Sequence, residues 1–530
     1  MSRRPLFAAL LGAVLLPVAL HNAHAQSAVP PLTYVYLRGA DTLGIETITV
    51  SPGRIAGDLA MSGAPRIVWS HERKGNDLGE FTMKVFPPGA AVNSAPVQQG
   101  SIRIEGDSAY VDFSSGTRVQ KQTVATSRGA VTLLNPSVLH AALLGVRASR
   151  MNIPVLSLFL AIGGQSTPAS ITRRGDTVAV TIAGAESLVI TDADGIPREI
   201  SVPSQSARVV RTNRVVDLAS VNIKPEITYE APAGAPYRAE HVRIPTGRGY
   251  ELAGTLTRPV SNRTVPVVVT ISGSGPQERD SRIATVPGYE PFREIADTLA
   301  RRGIATLRYD DRGVGASGGL ESARSATSAD LADDVRSVIA WLKARSDIDA
   351  SKIALVGHSE GGMIAPMVAA TSSDVRAIAL LAGNAYSGRR VMMAQNRDAL
   401  DAAPGLTPAR RDSIWKSVPA RLDSLGATNK WVGFFMAHDP VATAKQVKQP
   451  VLILQGNTDH QVTPEQADTL AAAFRAGGNR AVTMKRFPDT NHLFLHDPSG
   501  RFQGYGALKN TRVQRDVLGT LADWLVTTLR

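Results

Sequence analysis

The sequence contains no cysteine among its 530 residues. This absence excludes disulfides, thiol nucleophiles, iron–sulfur clusters, cysteine-based zinc sites and a lipid anchor attached to cysteine. Apolar residues make up 43% of the chain and charged residues 20%, which is typical of a globular protein with little disorder. The length is several times that of a typical single domain, so we expect at least two domains.

The sequence also lacks blocks of like charge, although its formal net charge is +12. Scattered basic residues favour solubility and surface association over a nucleic-acid site, so we expect no nucleic-acid partner. The one long apolar run, Pro5 to Leu20, follows Arg3 and Arg4 and precedes the cleavage pattern Ala23-His24-Ala25. This run is short for a membrane span. We therefore predict a signal peptide over residues 1–25, cleaved near Ala25, and an exported protein that is periplasmic or secreted.

Short alternating apolar runs separated by turn residues follow the predicted leader. Thr177–Ile182 is one such run, and Gly-Asp and Asp-Gly pairs lie at hairpin spacing between the runs. The pattern predicts an antiparallel β-rich domain over residues 26–232, either a sandwich or a partly open barrel, with one helical segment over Val138–Val146. No motif in this domain assigns it a role or a partner.

The hydrophobic pattern of the sequence changes at the proline- and alanine-rich segment 231–236. From residue 237 to 530, buried-type apolar runs alternate with helical patterns, which predicts a mostly parallel sheet with helices on both faces. One helix is predicted around Leu331–Leu342, where Thr327 and Asp330 fit a capping box.

One of these runs leads directly into Gly357-His358-Ser359-Glu360-Gly361, a G-x-S-x-G motif followed by a helical pattern. A strand, a sharp turn and a helix are the context in which this motif exposes a serine nucleophile. Glycines beside the serine allow the strand and helix backbones to approach closely. We therefore predict that Ser359 is catalytic.

The region after residue 237 resembles the α/β-hydrolase superfamily, and within it bacterial carboxylesterases of the serine-aminopeptidase-like and dienelactone-hydrolase-like branch. The segments that carry the resemblance are 252–256, 272–277, 309–317, the Ser359 motif and 455–459. The resemblance implies an α/β-hydrolase fold and the order serine, acid, histidine along the chain.

A serine hydroxyl needs a histidine to accept its proton and a carboxylate to orient that histidine. His492 lies in the loop after the last apolar run, where the resemblance implies the base, with His496 as its rival. Asp459 follows the run 451–454 at the carboxyl end of a predicted strand, with Asp489 as the alternative acid.

An oxyanion hole requires two backbone N–H donors. We expect one from Glu360, which follows the serine, and one from Ser274, with Gly275 as the alternative. Residues of about 385–447 form a long insertion rich in large apolar side chains, which predicts a helical cap over the site. Residues 313–318 match G-x-G-x-x-G, but no acid ends a following strand, so we interpret them as a cleft loop.

The sequence therefore predicts an exported serine hydrolase that cleaves small carboxylic esters through an acyl-enzyme, with no metal or organic cofactor implied. A serine peptidase with the same triad is one alternative. A catalytically inert protein that binds the cell envelope is the other, from a different functional class.

Overall fold

The computed structural model describes residues 30–530 apart from 39–40, 63, 76, 88–93, 117, 183, 206, 215, 217, 219–226, 284–285, 287 and 403–406. The predicted leader, residues 1–25, lies outside the described residues. The chain divides into two compact units between residues 225 and 226. The predicted seam at 231–236 therefore falls just inside the second unit.

The first unit is built on one long sheet. Its fifteen described strands are β1 (Leu32–Arg38), β2 (Asp41–Val50), β3 (Arg54–Met61), β4 (Arg66–Lys74), β5 (Asp77–Phe86), β6 (Gln98–Glu105), β7 (Ser108–Ser115), β8 (Arg118–Ala125), β9 (Val131–Leu133), β10 (Val155–Leu160), β11 (Ser166–Arg174), β12 (Thr177–Ile182), β13 (Ala185–Thr191), β14 (Pro197–Val202) and β15 (Ala207–Thr212).

The strand order is β8-β7-β6-β5-β4-β3-β2-β1-β15-β14-β13-β12-β11-β10-β9, and among these described strands only β9 and β10 pair in parallel. The antiparallel β-rich prediction is confirmed, but the two-sheet sandwich among its alternatives is wrong. Alternation of buried and exposed residues specifies one buried face for each strand, not how many sheets those strands form. Here a single sheet curls until β9, at one edge, contacts β6.

A helix fills part of the concave face of this sheet. Helix α1 (Val138–Arg150) begins where the apolar pattern predicts and extends one turn further. Its N-cap Ser137 accepts a hydrogen bond from the backbone N–H of His140, which satisfies one of the free N–H groups of the first turn. The helix packs mainly on β11, β12, β13 and β14.

A buried carboxylate lies beside the start of α1. Glu46 accepts hydrogen bonds from the hydroxyls of Tyr36 (2.5 Å) and Ser137 (2.8 Å) and from Nε1 of Trp69 (2.9 Å). Burial away from water disfavours the charged form and raises the pKa of Glu46 to about 7.

The second unit contains an eight-stranded sheet. Its described strands are β16 (Tyr237–Pro245), β17 (Glu251–Pro259), β18 (Val265–Ile271), β19 (Ala305–Tyr309), β20 (Ile348–His358), β21 (Val375–Leu381), β22 (Val451–Gly456) and β23 (Val482–Phe487). Their order is β16-β17-β19-β18-β20-β21-β22-β23, with β16 and β17 antiparallel to their neighbours and all later pairs parallel.

Helices cover both faces of this sheet. They are α2 (Pro291–Ala300), α3 (Leu320–Ala323), α4 (Ser328–Lys343), α5 (Glu360–Ala369), α6 (Gly388–Ala402), α7 (Pro408–Thr428), α8 (Lys430–Ala437), α9 (Pro440–Ala444), α10 (Glu465–Ala476) and α11 (Arg515–Thr528). In β18, Val267 and Val269 join a core with α4, α5 and α10, whereas Val268 joins a core with α2 and α11. Successive strand residues face opposite sides, so the two cores lie on opposite faces. The predicted mostly parallel sheet with helices on both faces is confirmed.

Two local predictions in this unit also agree with the structure. Thr327 and Asp330 form a capping box at the start of α4. The Thr327 hydroxyl accepts from the N–H of Asp330, and the Asp330 carboxylate accepts from the N–H of Thr327. Helices α6 to α9 occupy the long connection between β21 and β22, where the sequence predicts the helical insertion. Over the described part of the chain, no helix combines the length and apolar character needed to span a membrane.

Candidate active site

Ser359 lies at a sharp turn between β20 and α5. The strand ends at His358, the helix begins at Glu360, and Ser359 between them has φ 55° and ψ −118°. A residue with a Cβ rarely adopts a positive φ, so the turn holds Ser359 in a strained conformation. The N–H of Ser359 donates to the carbonyl of Leu381 (2.9 Å), and its own carbonyl accepts from Gly362 N–H (2.8 Å).

Three glycines make this turn possible. A Cβ at Gly357 would overlap the carbonyl of Gly361, and a Cβ at Gly361 would overlap the carbonyl of Ile271. A Cβ at Gly362 would lie 2.6 Å from Cα of Gly383. The backbones of β20, α5 and the neighbouring loops approach so closely here that no side chain fits between them.

His492 and Asp459 contact each other directly. Nδ1 of His492 lies 2.8 Å from Oδ2 of Asp459, and both side chains are buried. A carboxylate only accepts hydrogen bonds, so Nδ1 carries the proton of the neutral imidazole and Nε2 has a free lone pair. Asp459 also accepts from the N–H groups of Gln461 and Val462, at 2.8 and 2.9 Å, which fixes the carboxylate in the loop after β22.

The rival residues lie elsewhere. His496 and Asp489 are both exposed, and neither lines the cavity that contains Ser359. His358 is buried, and its Nε2–H donates to the backbone carbonyl of His492 at 2.9 Å. Burial lowers the pKa of His358 to about 4, so its ring is neutral and supports the loop that carries His492.

Ser359 and His492 line one cavity of about 440 Å³. The cap contributes apolar walls to it: Val391 and Met392 from α6, and Trp431 and Phe435 from α8, whose rings are stacked with centroids 5.4 Å apart. This volume lies within the range of about 300–1,000 Å³ in which proteins bind small molecules. The sequence predicted a cap but not which of its residues face the site.

Both residues predicted to supply oxyanion donors line the cavity that contains Ser359. The N–H of Glu360 opens α5, so it belongs to the first-turn donors that a helix leaves without an intrahelical partner. Ser274 lines the cavity and Gly275 does not, which favours Ser274 as the source of the second N–H. Gly273, which precedes Ser274, lies close to the nucleophile, because a Cβ there would be 3.2 Å from Cβ of Ser359.

Two consecutive aspartates after β19 brace the loop that contains Ser274. Asp311 accepts from Ser272 Oγ (2.9 Å) and from the N–H of Gln277 (3.0 Å). Asp310 forms a buried ion pair with Arg279, with bonds of 2.9 and 2.7 Å. Burial raises the pKa of Asp311 to about 7.

No role for these aspartates was predicted from the sequence. Two acids directly after a buried strand could have indicated such a role, because the active sites of parallel sheets lie at the carboxyl ends of their strands.

The glycine-rich loop 313–318 contacts Asp310. Ala316 N–H donates to Oδ2 of Asp310 at 3.0 Å, and a Cβ at Gly315, where φ is 54°, would lie 2.5 Å from that oxygen. This loop therefore helps to enclose Asp310.

The side chain of Glu360 joins the cap to the nucleophile turn. It is 2% exposed, and Oε1 accepts from Ser328 Oγ (2.6 Å) and from Nε1 of Trp431 (2.9 Å). Trp431 belongs to the cap and Ser328 to the start of α4, so one carboxylate connects three elements around the site. These contacts link residues 32 and 71 positions apart, and no local spacing could have predicted them.

Comparisons with known proteins agree with this architecture. The family model of X-Pro dipeptidyl-peptidase (S15 family) matches residues 248–497. Esterase EstD of Thermotoga maritima is 27% identical over 282 residues, which cover 52% of this chain and 65% of that protein. Dipeptidyl aminopeptidase BIII of Pseudoxanthomonas mexicana is 26% identical over 241 residues, 45% of this chain and 31% of that protein. The chain thus spans less than two thirds of the length of either relative.

Among solved structures, an esterase of Pyrococcus furiosus is 16% identical with a TM-score of 0.40, covering 57% of this chain and 96% of its own. A dienelactone hydrolase homologue from Klebsiella pneumoniae is 17% identical with a TM-score of 0.36, covering 55% and 98%. The sheet order, the strand–turn–helix around Ser359 and the sequence relatives together confirm that the second unit has the α/β-hydrolase fold.

Proposed function

We propose that this protein is an exported serine hydrolase that cleaves small carboxylic esters through an acyl-enzyme. The observation that carries the proposal is the 2.8 Å contact between His492 and Asp459 beside the same cavity as the strained Ser359. A buried histidine oriented by a carboxylate next to a serine on such a turn is the arrangement that activates a hydroxyl.

In this mechanism Ser359 Oγ attacks the ester carbonyl while Nε2 of His492 takes its proton. Asp459 stabilises the imidazolium that forms, and the N–H groups of Glu360 and Ser274 donate to the developing oxyanion. The imidazolium then protonates the leaving alcohol, which departs and leaves the acyl group on Ser359. Water, deprotonated by His492, then attacks the acyl carbon. The acid departs, and the proton passes from His492 back to Oγ of Ser359.

The cavity favours an ester over a peptide with a free N-terminus. A peptidase that recognises an N-terminus must bind an ammonium group, for which a free carboxylate is the natural partner. Among the described lining residues only Glu360 carries a carboxylate. Its Oε1 accepts from Ser328 and Trp431, and its Oε2, although it has no hydrogen-bond partner, is buried and not accessible from the cavity solvent.

The serine-peptidase alternative draws support from the S15 family match and from the dipeptidyl aminopeptidase relative. Three substrates separate the two activities: para-nitrophenyl butyrate, ethyl butyrate and Ala-Pro-para-nitroanilide, each assayed against Ser359→Ala as background. We expect turnover of both esters and no anilide hydrolysis above background. Faster hydrolysis of the anilide than of ethyl butyrate would replace the esterase proposal with the peptidase. Failure of a fluorophosphonate to label the protein would favour the inert binding protein.

The base is tested by a matched pair of histidines. His492→Ala should lower kcat by about 10³-fold or more, because the serine then has no proton acceptor. His496→Ala, at an exposed residue outside the cavity, should stay within about twofold of wild type in the para-nitrophenyl butyrate assay, as expected of a surface substitution. The reverse ranking would move the base to His496.

Export is tested on the protein itself. N-terminal sequencing of the chain recovered from a bacterial envelope or culture fluid should begin at Gln26. Recovery in the cytoplasm with the leader intact would contradict the export proposal.

A further inference from the structure

The first unit contains a cavity of about 760 Å³ that no catalytic residue lines. Helix α1 packs on β11 to β14 and so covers one half of the curled sheet. The cavity occupies the other half, where its lining residues come from β3 to β8, from residues 64, 65 and 136, and from the segment 159–164. Protein interiors pack as densely as organic crystals and leave few voids larger than a water molecule. A space of this size is therefore a feature of the fold that a ligand can occupy.

The chemistry of the wall is uniform. Among the described lining residues none carries a charge, and aliphatic, aromatic and methionine side chains predominate. Leu59, Ile67, Met83 and Phe159 are buried and form the dry part of the wall. Methionine side chains such as Met83 adapt to different apolar shapes.

The polar lining side chains are glutamines near the solvent. Gln98, Gln120 and Gln122 are all exposed, and each offers both a donor and an acceptor. The cavity thus combines an uncharged apolar interior with an uncharged polar rim. This arrangement matches an apolar chain that ends in a polar head group, because the chain leaves water while the head stays solvated.

We propose that this cavity binds the hydrocarbon chain of a single-chain amphiphile, such as a fatty acid, with its head group at the glutamine rim. The volume lies within the range of about 300–1,000 Å³ of small-molecule sites. The ligand site is separate from Ser359, so the proposal does not depend on the esterase activity.

The test uses the full chain and cis-parinaric acid, a fluorescent fatty acid, after the serine site has been blocked with diisopropyl fluorophosphate. Val124 lines the cavity and is partly buried on the edge strand β8, so Val124→Trp fills the space with a modest risk to folding. Thr123→Trp places the same side chain at the neighbouring exposed residue, on the opposite face of the strand. We expect saturable binding by wild type and by Thr123→Trp, and at least tenfold weaker binding by Val124→Trp.

Three results would overturn the proposal: no saturable binding, equal binding by the two tryptophan variants, or binding only while the serine site is free. If Val124→Trp fails to fold, Gln120→Glu provides an independent test at an exposed rim residue. Its carboxylate should repel parinarate several-fold and leave the binding of methyl parinarate unchanged. Identical effects on the acid and the ester would show that the head group lies elsewhere.

Discussion

The backbone of Ser359 permits a quantitative test of strain at the proposed nucleophile. At φ 55° and ψ −118°, the backbone of a glycine is unstrained, whereas that of a residue with a Cβ is strained. Strained conformations of this kind cost of order 1–3 kcal/mol. Glycine relieves that strain but loses about 0.5–1 kcal/mol more backbone entropy on folding than alanine does. Ser359→Gly should therefore be more stable than Ser359→Ala by about 1 kcal/mol, after both terms are combined.

Comparing glycine with alanine isolates the Cβ, because both variants lack the hydroxyl and both should be inactive. The assay is urea unfolding of the full chain followed by tryptophan fluorescence, since four of the five tryptophans lie in the second unit. The same pair of substitutions at Ser351, an exposed residue within β20, is the control. There the backbone has no positive φ, so alanine should be the more stable variant.

Equal stability of the two Ser359 variants, or greater stability of Ser359→Ala, would refute the argument. Either result would mean that the turn relaxes when the serine is replaced, and that the close backbone contacts around the glycines do not enforce the conformation. Residual activity of Ser359→Gly above the background of an unrelated inactive variant would refute the role of the hydroxyl.

Two further predictions concern buried carboxylates. Trp431→Phe removes a hydrogen bond to Glu360 and loosens the cap, so kcat/KM for para-nitrophenyl butyrate should fall about tenfold. This factor corresponds to the loss of about 1.5 kcal/mol, as expected for a hydrogen bond to a charged group. Trp415→Phe, at a cap tryptophan outside the cavity, is the control, and equal kinetics of the two variants would contradict the role of the bond. The raised pKa of Glu46, about 7, means that the folded state holds this proton more tightly than the unfolded state, so its contribution to stability is full below about pH 4.5 and is lost as pH rises through 7. Relative to Glu46→Gln, wild type should lose up to about 3 kcal/mol of unfolding free energy between pH 4.5 and 8. Urea unfolding followed by circular dichroism measures this loss. The same pH dependence in both proteins would contradict the burial argument.

The sequence was most informative where chemistry and local structure coincide. The glycines around Ser359 are dictated by backbone overlap within a few residues, so the motif carries its own geometry. The position of Asp459 follows from the end of its strand, because the carboxyl ends of parallel strands meet at one edge of a sheet. The resemblance to α/β-hydrolases implied His492, in the loop after the last strand. The sequence therefore predicts these three residues as one site, with Asp489 and His496 as the alternatives to the last two.

The supporting contacts could not be predicted in the same way. The bonds of Glu360 to Ser328 and Trp431 connect segments far apart in the chain, and their formation depends on how the helices pack. The same limit applies to the first unit, where alternation identified strands but not their assembly into one curled sheet, nor the cavity inside it. Tertiary packing decides both features, and local pattern does not encode it.

The arrangement of acids around Ser359 shows how the site is made rigid. Asp310 pairs with Arg279, which lies in the same connection as Ser274, and Arg312 forms another buried ion pair with Asp334 on α4. Burying such pairs costs desolvation free energy that their mutual attraction only partly returns, so they are weak contributors to overall stability. Their effect is geometric, because a displaced loop would leave a buried charge with fewer partners, as for Asp334, which also pairs with Arg248. Rigid loops are what an oxyanion hole requires, since its donors must already point at the oxyanion before the negative charge develops.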